Sequence, residues 1–167
     1  LPGARWTDLT RVPALAKGAP DADLTRFPAR EGFADLVQLV NEPSDRIGGP
    51  AWIAVTYTEQ GYVWFALKDP SVLNSTVIWI ENHGRNGHPW NGRNRCVGFE
   101  DVTAHFADGL AASRQANGLT REGVATTVDL KGSTPTVVNY IQGAVKIPYN
   151  FDAVKTLEFG AGEVTFV

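Results

Sequence analysis

This chain is expected to be all-β (mainly β), a β-sandwich with one short helix, and three patterns carry that expectation. Short apolar runs recur along most of its 167 residues, with turn-forming residues between them. Two of the runs, 51–58 and 62–68, flank Glu59-Gln60-Gly61, a hairpin signal in which Gly61 is placed to take a positive φ. A third run, 76–82, is apolar on both faces, with Val77 and Trp79 on one and Ile78 and Ile80 on the other. A strand of that kind is covered on both sides, as in the middle of a sandwich.

The elements follow in order. Segment 1–31 carries Pro2, Pro13, Pro20 and Pro28 with scattered charge and little periodicity, and reads as irregular chain wrapping a surface. From residue 32 to residue 167 the pattern is that of one β domain. Residues 32–41 alternate as a first strand, and 42–50 form a loop. In the hairpin, Val63, Phe65 and Leu67 share one face, and Ile53, Val55 and Tyr57 are expected to match them from the first strand. Residues 95–100 form a further strand. Segment 101–116 is the best helix candidate, closing at Asn117-Gly118, although Gly109 interrupts it. The remainder reads as strands at 124–130, 136–145, 154–159 and 163–167, divided by turns at 131–133 and 160–162.

Composition limits the function. The formal charge of −3 leaves no basic field for a polyanion, so no nucleic acid is expected as a partner. No apolar run approaches the roughly 20 residues that span a bilayer, so no membrane partner is expected either. Cys96 is the single cysteine and cannot form an internal disulfide, which points to a reducing, cytoplasmic setting. Leu1 is not a translation start, so the chain is read as processed or as a piece of something longer.

The chemistry concentrates in residues 81–95. This stretch holds two of the three histidines, three arginines, four asparagines, three glycines and Trp90. Connectors are usually short, and one this long and this rich in hydrogen-bonding groups is where a site is built. Trp90 offers a flat apolar surface for the C–H face of a sugar, while Arg85, Asn91 and Arg93 offer directional donors to hydroxyl oxygens. Histidine is the side-chain type suited to proton transfer near neutral pH, so His83 and His88 are candidates to move a proton. On the following strand, Val97 and Phe99 point one way, whereas Cys96, Gly98 and Glu100 point the other. Glu100 therefore stands beside small residues, with open volume in front of it. The alternative is a surface carboxylate paired with Arg93 or Arg95. A zinc site built from His83, His88, His105 and Glu100 lacks any standard ligand spacing, and His105 reads as a structural hydrogen-bonder. No phosphate-cradling glycine motif is present. No metal or other cofactor is expected.

Three motifs, Trp79-Ile-Glu-Asn-His-Gly-Arg85, Pro89-Trp-Asn-Gly-Arg93 and Val97-Gly-Phe-Glu-Asp101, together resemble the late segment of the galactose mutarotase-like (aldose 1-epimerase) superfamily. Phe106 and Asp108 follow, as an aromatic and an aspartate do in that family, and the β-rich tail is similar to the end of its supersandwich. The resemblance implies that residues 32–167 are the C-terminal part of a larger galactose mutarotase-like β-sandwich domain. It also implies anomeric isomerisation of a free sugar without a cofactor, with Glu100 as general base. The family's acid is a histidine usually placed well upstream. Here that acid lies outside the chain or is absent, or His83 or His88 takes the role. Asp101 also stands where the family commonly has proline. The expected partner is a small-molecule sugar. Exposed sheet edges are expected to pair with the remainder of the same protein or with a second copy. A non-catalytic carbohydrate-binding module and a structural β-domain of a larger protein are the alternative readings.

Overall fold

A computed structural model of the protein describes residues 8–13, 21–27, 33–41 and 49–167. Most of the irregular segment expected over 1–31 and the core of the 42–50 loop lie outside the described residues. The architecture is mainly β, with antiparallel sheets and two short helical turns. Among the described residues no helix is long and apolar enough to cross a membrane. The chain forms two compact units, one made of 1–41 and 74–129 and the other of 42–73 and 130–167.

The first unit is built on a three-stranded sheet of β1 (Phe33–Val40), β4 (Ser75–Asn82) and β5 (Arg95–Val102), with β4 in the centre. Both of its pairings are antiparallel, and Trp79 lies between Leu36 and Gly98 while Val77 lies between Gln38 and Glu100. β4 is buried along nearly its whole length, as its two apolar faces require. Val37, Ile78 and Ile80 fill one face of the sheet. The opposite face carries Leu36, Gln38, Val77, Trp79, Glu81, Gly98 and Glu100, and it bears the candidate site. Val12 and Ala22, in the same unit, pair as an isolated antiparallel bridge and are both buried.

The helix expected over 101–116 is cut back from its start. β5 continues through Asp101 and Val102, which pair with Thr76 and Ser75, and the Thr76 hydroxyl donates to the Asp101 carboxylate at 2.6 Å. Sheet pairing thus claims two residues that periodicity assigned to the helix. Within 101–116, helix appears only at α1 (Gly109–Ser113). Asn117 does not close that helix. It caps the next one, α2 (Gly118–Arg121), by accepting from the backbone N–H groups of Leu119 and Thr120 at 3.0 Å each, while the Thr120 hydroxyl accepts from the Asn117 N–H. This reciprocal arrangement is a capping box.

The second unit contains β2 (Ala51–Tyr57), β3 (Tyr62–Lys68) and β6 (Tyr140–Lys146), again with the middle strand in sequence order at the centre, and the hairpin of β7 (Leu157–Gly160) and β8 (Glu163–Phe166). Gly61 has φ of 72° and closes the β2–β3 turn, as the sequence predicted. The register differs from the expectation. Four loop residues, 58–61, set Tyr57 opposite Tyr62, so Ile53, Val55 and Tyr57 share a face with Ala66, Trp64 and Tyr62. Trp52, Ala54 and Thr56 are the residues that join Leu67, Phe65 and Val63. The two tyrosines stack with ring centroids 4.5 Å apart. Phe65 meets Phe166 edge to face at 5.0 Å, and Gly143 lies across from Phe65 on β6.

The strand expected over 124–130 is absent, and the one expected from 136 begins only at Tyr140. Pro135 supplies no backbone N–H, and residues 124–139 have no partner strand, so β-branched composition alone does not organise them. Thr126 is instead buried as a hydrogen-bonding post: its hydroxyl donates to the Ser113 carbonyl at 2.6 Å and accepts from the Asn117 amide at 3.1 Å.

Candidate functional site

The polar stretch folds back on itself because a buried carboxylate at the end of β4 anchors it. Glu81 has no exposed surface. One carboxylate oxygen accepts the backbone N–H groups of both Gly84 and Arg85 at 2.9 Å. The other lies 3.8 Å from Nε of Arg85 and has no hydrogen-bond partner among the described residues. Burying a carboxylate is costly unless directed donors and a counter-charge surround it. Here one residue, Arg85, supplies a backbone donor and the counter-charge together.

Arg85 is held from two further directions. The centre of its guanidinium lies 5.1 Å from the Trp79 ring centroid and 5.8 Å from that of Trp90, both within cation–π range. Trp90 therefore serves as a wall for Arg85 and does not line the pocket. The rest of the loop closes through backbone hydrogen bonds, from Gly92 N–H to the Arg85 carbonyl at 2.8 Å and from His83 N–H to the Asn94 carbonyl at 2.8 Å. Nδ1 of His83 lies 2.7 Å from the Gly92 carbonyl. A carbonyl can only accept, so Nδ1 is the donor in this contact.

A pocket of about 320 Å³ opens on the sheet face described above, entirely within the first unit. Leu36, Val77 and Val102 form its floor, Trp79 and Phe106 are its aromatic walls, and Arg85 and Glu100 are its charged groups. That volume falls at the lower end of small-molecule sites, roughly 300–1,000 Å³. The Phe106 wall is tied to the sheet by Gln38. Its amide nitrogen donates to the Ser75 hydroxyl and the Ala104 carbonyl at 2.9 Å each, and its amide oxygen accepts the Phe106 N–H at 2.8 Å. Phe106 has φ of 49°, a left-handed conformation that this bond helps to hold.

Glu100 is exposed, and among the described residues it forms no ion pair. The pairing with Arg93 or Arg95 weighed from the sequence is not found. Arg93 reaches the Pro89 carbonyl instead, at 3.4 Å. The open volume is also displaced from where alternation put it. A Cβ on Gly98 would meet Cε3 of Trp79 at 3.4 Å, so the indole covers the glycine. Neither Cys96 nor Gly98 lines the cavity, which Val77, across from Glu100 on β4, borders together with Val102 and Phe106.

Of the residues singled out from the sequence, the pocket brings together Glu100 and Arg85. His83 is half-buried in the loop, His88 is exposed, and Asn91 and Arg93 are exposed. None of these four lines the pocket. Asn91 holds a left-handed turn, with φ of 51°. His105 lies 3.0 Å from the Asp108 carboxylate, and its backbone N–H donates to the Ser113 hydroxyl, consistent with a structural role. Among the described residues, no group of three or more His, Cys, Asp or Glu side chains gathers as a metal site would require. Sequence reading passed over Glu81 as a site residue, along with Trp79 and Gln38. Glu81 alone left a signal: it is the single acidic residue of β4 and directly follows the apolar run from Val77 to Ile80. Comparison of the chain with protein-family models, curated proteins and solved structures returns no match.

Proposed function

We propose that this protein binds a free sugar in the pocket over β1, β4 and β5. The observation that carries the proposal is a carboxylate, Glu100, unpaired among the described residues and opening onto a cavity otherwise walled by Trp79, Phe106 and aliphatic side chains. A monosaccharide presents apolar C–H faces and a rim of hydroxyls, and this pocket offers the counterparts of both. Glu100 accepts from hydroxyls and Arg85 donates to them, while the aromatic and aliphatic walls take the ring. Arg85 is suited to the task because Glu81, Trp79 and Trp90 have already fixed its position, so little side-chain freedom is lost on binding.

Binding without chemistry is the reading this geometry supports best, since no histidine lines the pocket. Aldose 1-epimerase-type isomerisation is the second reading, and the observation favouring it is the same exposed carboxylate. Mutarotation needs only a base for the anomeric hydroxyl and an acid for the ring oxygen. Glu100 would serve as the base. The acid would be His83 or His88, and either would have to reach the pocket from outside its lining.

Titration with glucose and galactose, followed by tryptophan fluorescence and calorimetry, tests the proposal. Wild type is expected to respond saturably and Glu100→Gln to respond more weakly. Polarimetry on fresh α-glucose separates the two readings. Relaxation at the buffer rate despite saturable binding selects the binding protein, and acceleration abolished in Glu100→Gln selects the isomerase. If no sugar perturbs either signal, sugar recognition is wrong and a structural β-domain takes its place.

A further inference from the structure

We propose that the pocket selects its sugar by charge, and that its preferred ligand is a protonated amino sugar, a 2-amino-2-deoxyhexose, ahead of a neutral hexose. The inference rests on the sugar-binding reading above and goes beyond it by naming the substrate class. Three charged groups govern the site: Arg85 and Glu100 in its lining, and Glu81 directly behind Arg85. The single cation of the lining already faces a counter-ion. Nε of Arg85 lies 3.8 Å from the buried Glu81 carboxylate, and its guanidinium packs between two indoles. Glu81 and Arg85 therefore cancel in formal charge, and Glu100 remains as an uncompensated anion at the pocket wall. A ligand carboxylate or phosphate meets that anion beside a cation whose formal charge Glu81 already balances. An ammonium group meets a carboxylate that has no other ion-pair partner among the described residues.

The walls act in the same direction. Trp79 already carries Arg85 over its ring, and Phe106 supplies a second π-system, of a kind that attracts cations and does nothing for anions. Because Glu100 is exposed, its attraction for an ammonium is that of a solvent-screened pair and not of a buried one. The expected preference is therefore about three- to tenfold in affinity, and it shrinks as salt rises.

The test compares four ligands on the intact chain by calorimetry at pH 6, where the amine is charged: glucose, glucosamine, N-acetylglucosamine and glucuronate. Glucosamine is expected to bind about three- to tenfold more tightly than glucose, and glucuronate more weakly than glucose. N-acetylglucosamine keeps the substituent position without the charge, so it should not share the preference. In Glu100→Gln the ratio of glucosamine to glucose affinity is expected to fall to near one, and 1 M NaCl should reduce it in wild type. Equal affinity for glucose and glucosamine in wild type overturns charge selection and leaves sugar binding standing. A preference that survives in Glu100→Gln likewise overturns it. Binding of none of the four removes both proposals.

Discussion

Replacing Glu81 by alanine removes a buried group that holds the start of the 83–94 loop against its strand. The side chain is fully buried, and one oxygen accepts two backbone N–H groups at 2.9 Å. Hydrogen bonds to a charged acceptor contribute about 1.5–3 kcal/mol each. Gly84 is half-buried and Arg85 exposed, so water can replace part of what is lost, and the lower figure applies to both bonds. The summed loss is about 3 kcal/mol. Glu81→Gln keeps a carbonyl acceptor in place but removes the counter-charge facing Arg85, and is expected to cost about 1 kcal/mol. In urea, where chains of this size unfold with slopes of roughly 2–3 kcal/mol/M, alanine lowers the midpoint by roughly 1 M. Amide exchange supplies the local readout. Protection at Gly84 and Arg85 should fall by about two orders of magnitude, while that at Ile78 in mid-strand falls only as far as global stability does. A midpoint within about 0.2 M of wild type, with both amides still protected, would falsify the assignment of Glu81 as the anchor.

Three further outcomes are expected. A Cβ on Gly143 would lie 3.1 Å from Cε1 and 3.2 Å from Cζ of Phe65, so Gly143→Ala should destabilise by about 1–2 kcal/mol, and Phe65→Leu should recover part of that loss in thermal melts. Asn117→Ala removes both the cap of α2 and the amide donor to buried Thr126, and should cost about 2 kcal/mol by chemical denaturation, more than Thr120→Ala does. The Asp69 carboxylate accepts the Ser71 hydroxyl at 2.6 Å and its N–H at 2.9 Å, and these bonds, the hydroxyl first, hold its pKa below the ordinary aspartate value. The folded-state value being the lower, the stabilisation is present above the unfolded-state pKa and disappears as pH falls through the folded one. NMR titration of the Asp69 carboxyl carbon should show its midpoint rising in Ser71→Ala.

Much of the strand pattern was legible because it depends on residues next to one another. Alternation along 62–68 and 95–100 reports side-chain direction directly, since successive residues of a strand face opposite ways whatever the partner. The positive φ at Gly61 was legible for the same kind of reason: a tight turn between two strands needs it, and glycine accepts it without penalty. The same locality explains the failures at 101–116 and 124–130. A helical or β-branched pattern states a preference, but β5 is extended by two residues because Thr76 and Ser75 lie across from Asp101 and Val102. Residues 124–130 form no strand because nothing pairs with them.

The candidate site divides in the same way. From the sequence alone came a decorated loop, a carboxylate with small neighbours at Cys96 and Gly98, and an arginine close by; each follows from composition and alternation over a few residues. Only the tertiary structure decided what those groups meet. It placed Trp79 over Gly98, brought Phe106 to the pocket through Gln38, 68 residues earlier in the chain, and left His83 and His88 out of the lining. It also gave the most conspicuous polar stretch a buried counter-ion, Glu81, which made Arg85 a fixed group and left Glu100 as the unbalanced charge. Such pairings depend on which strands lie side by side and in what register. Those are set by contacts between residues far apart in the chain, which no local pattern encodes.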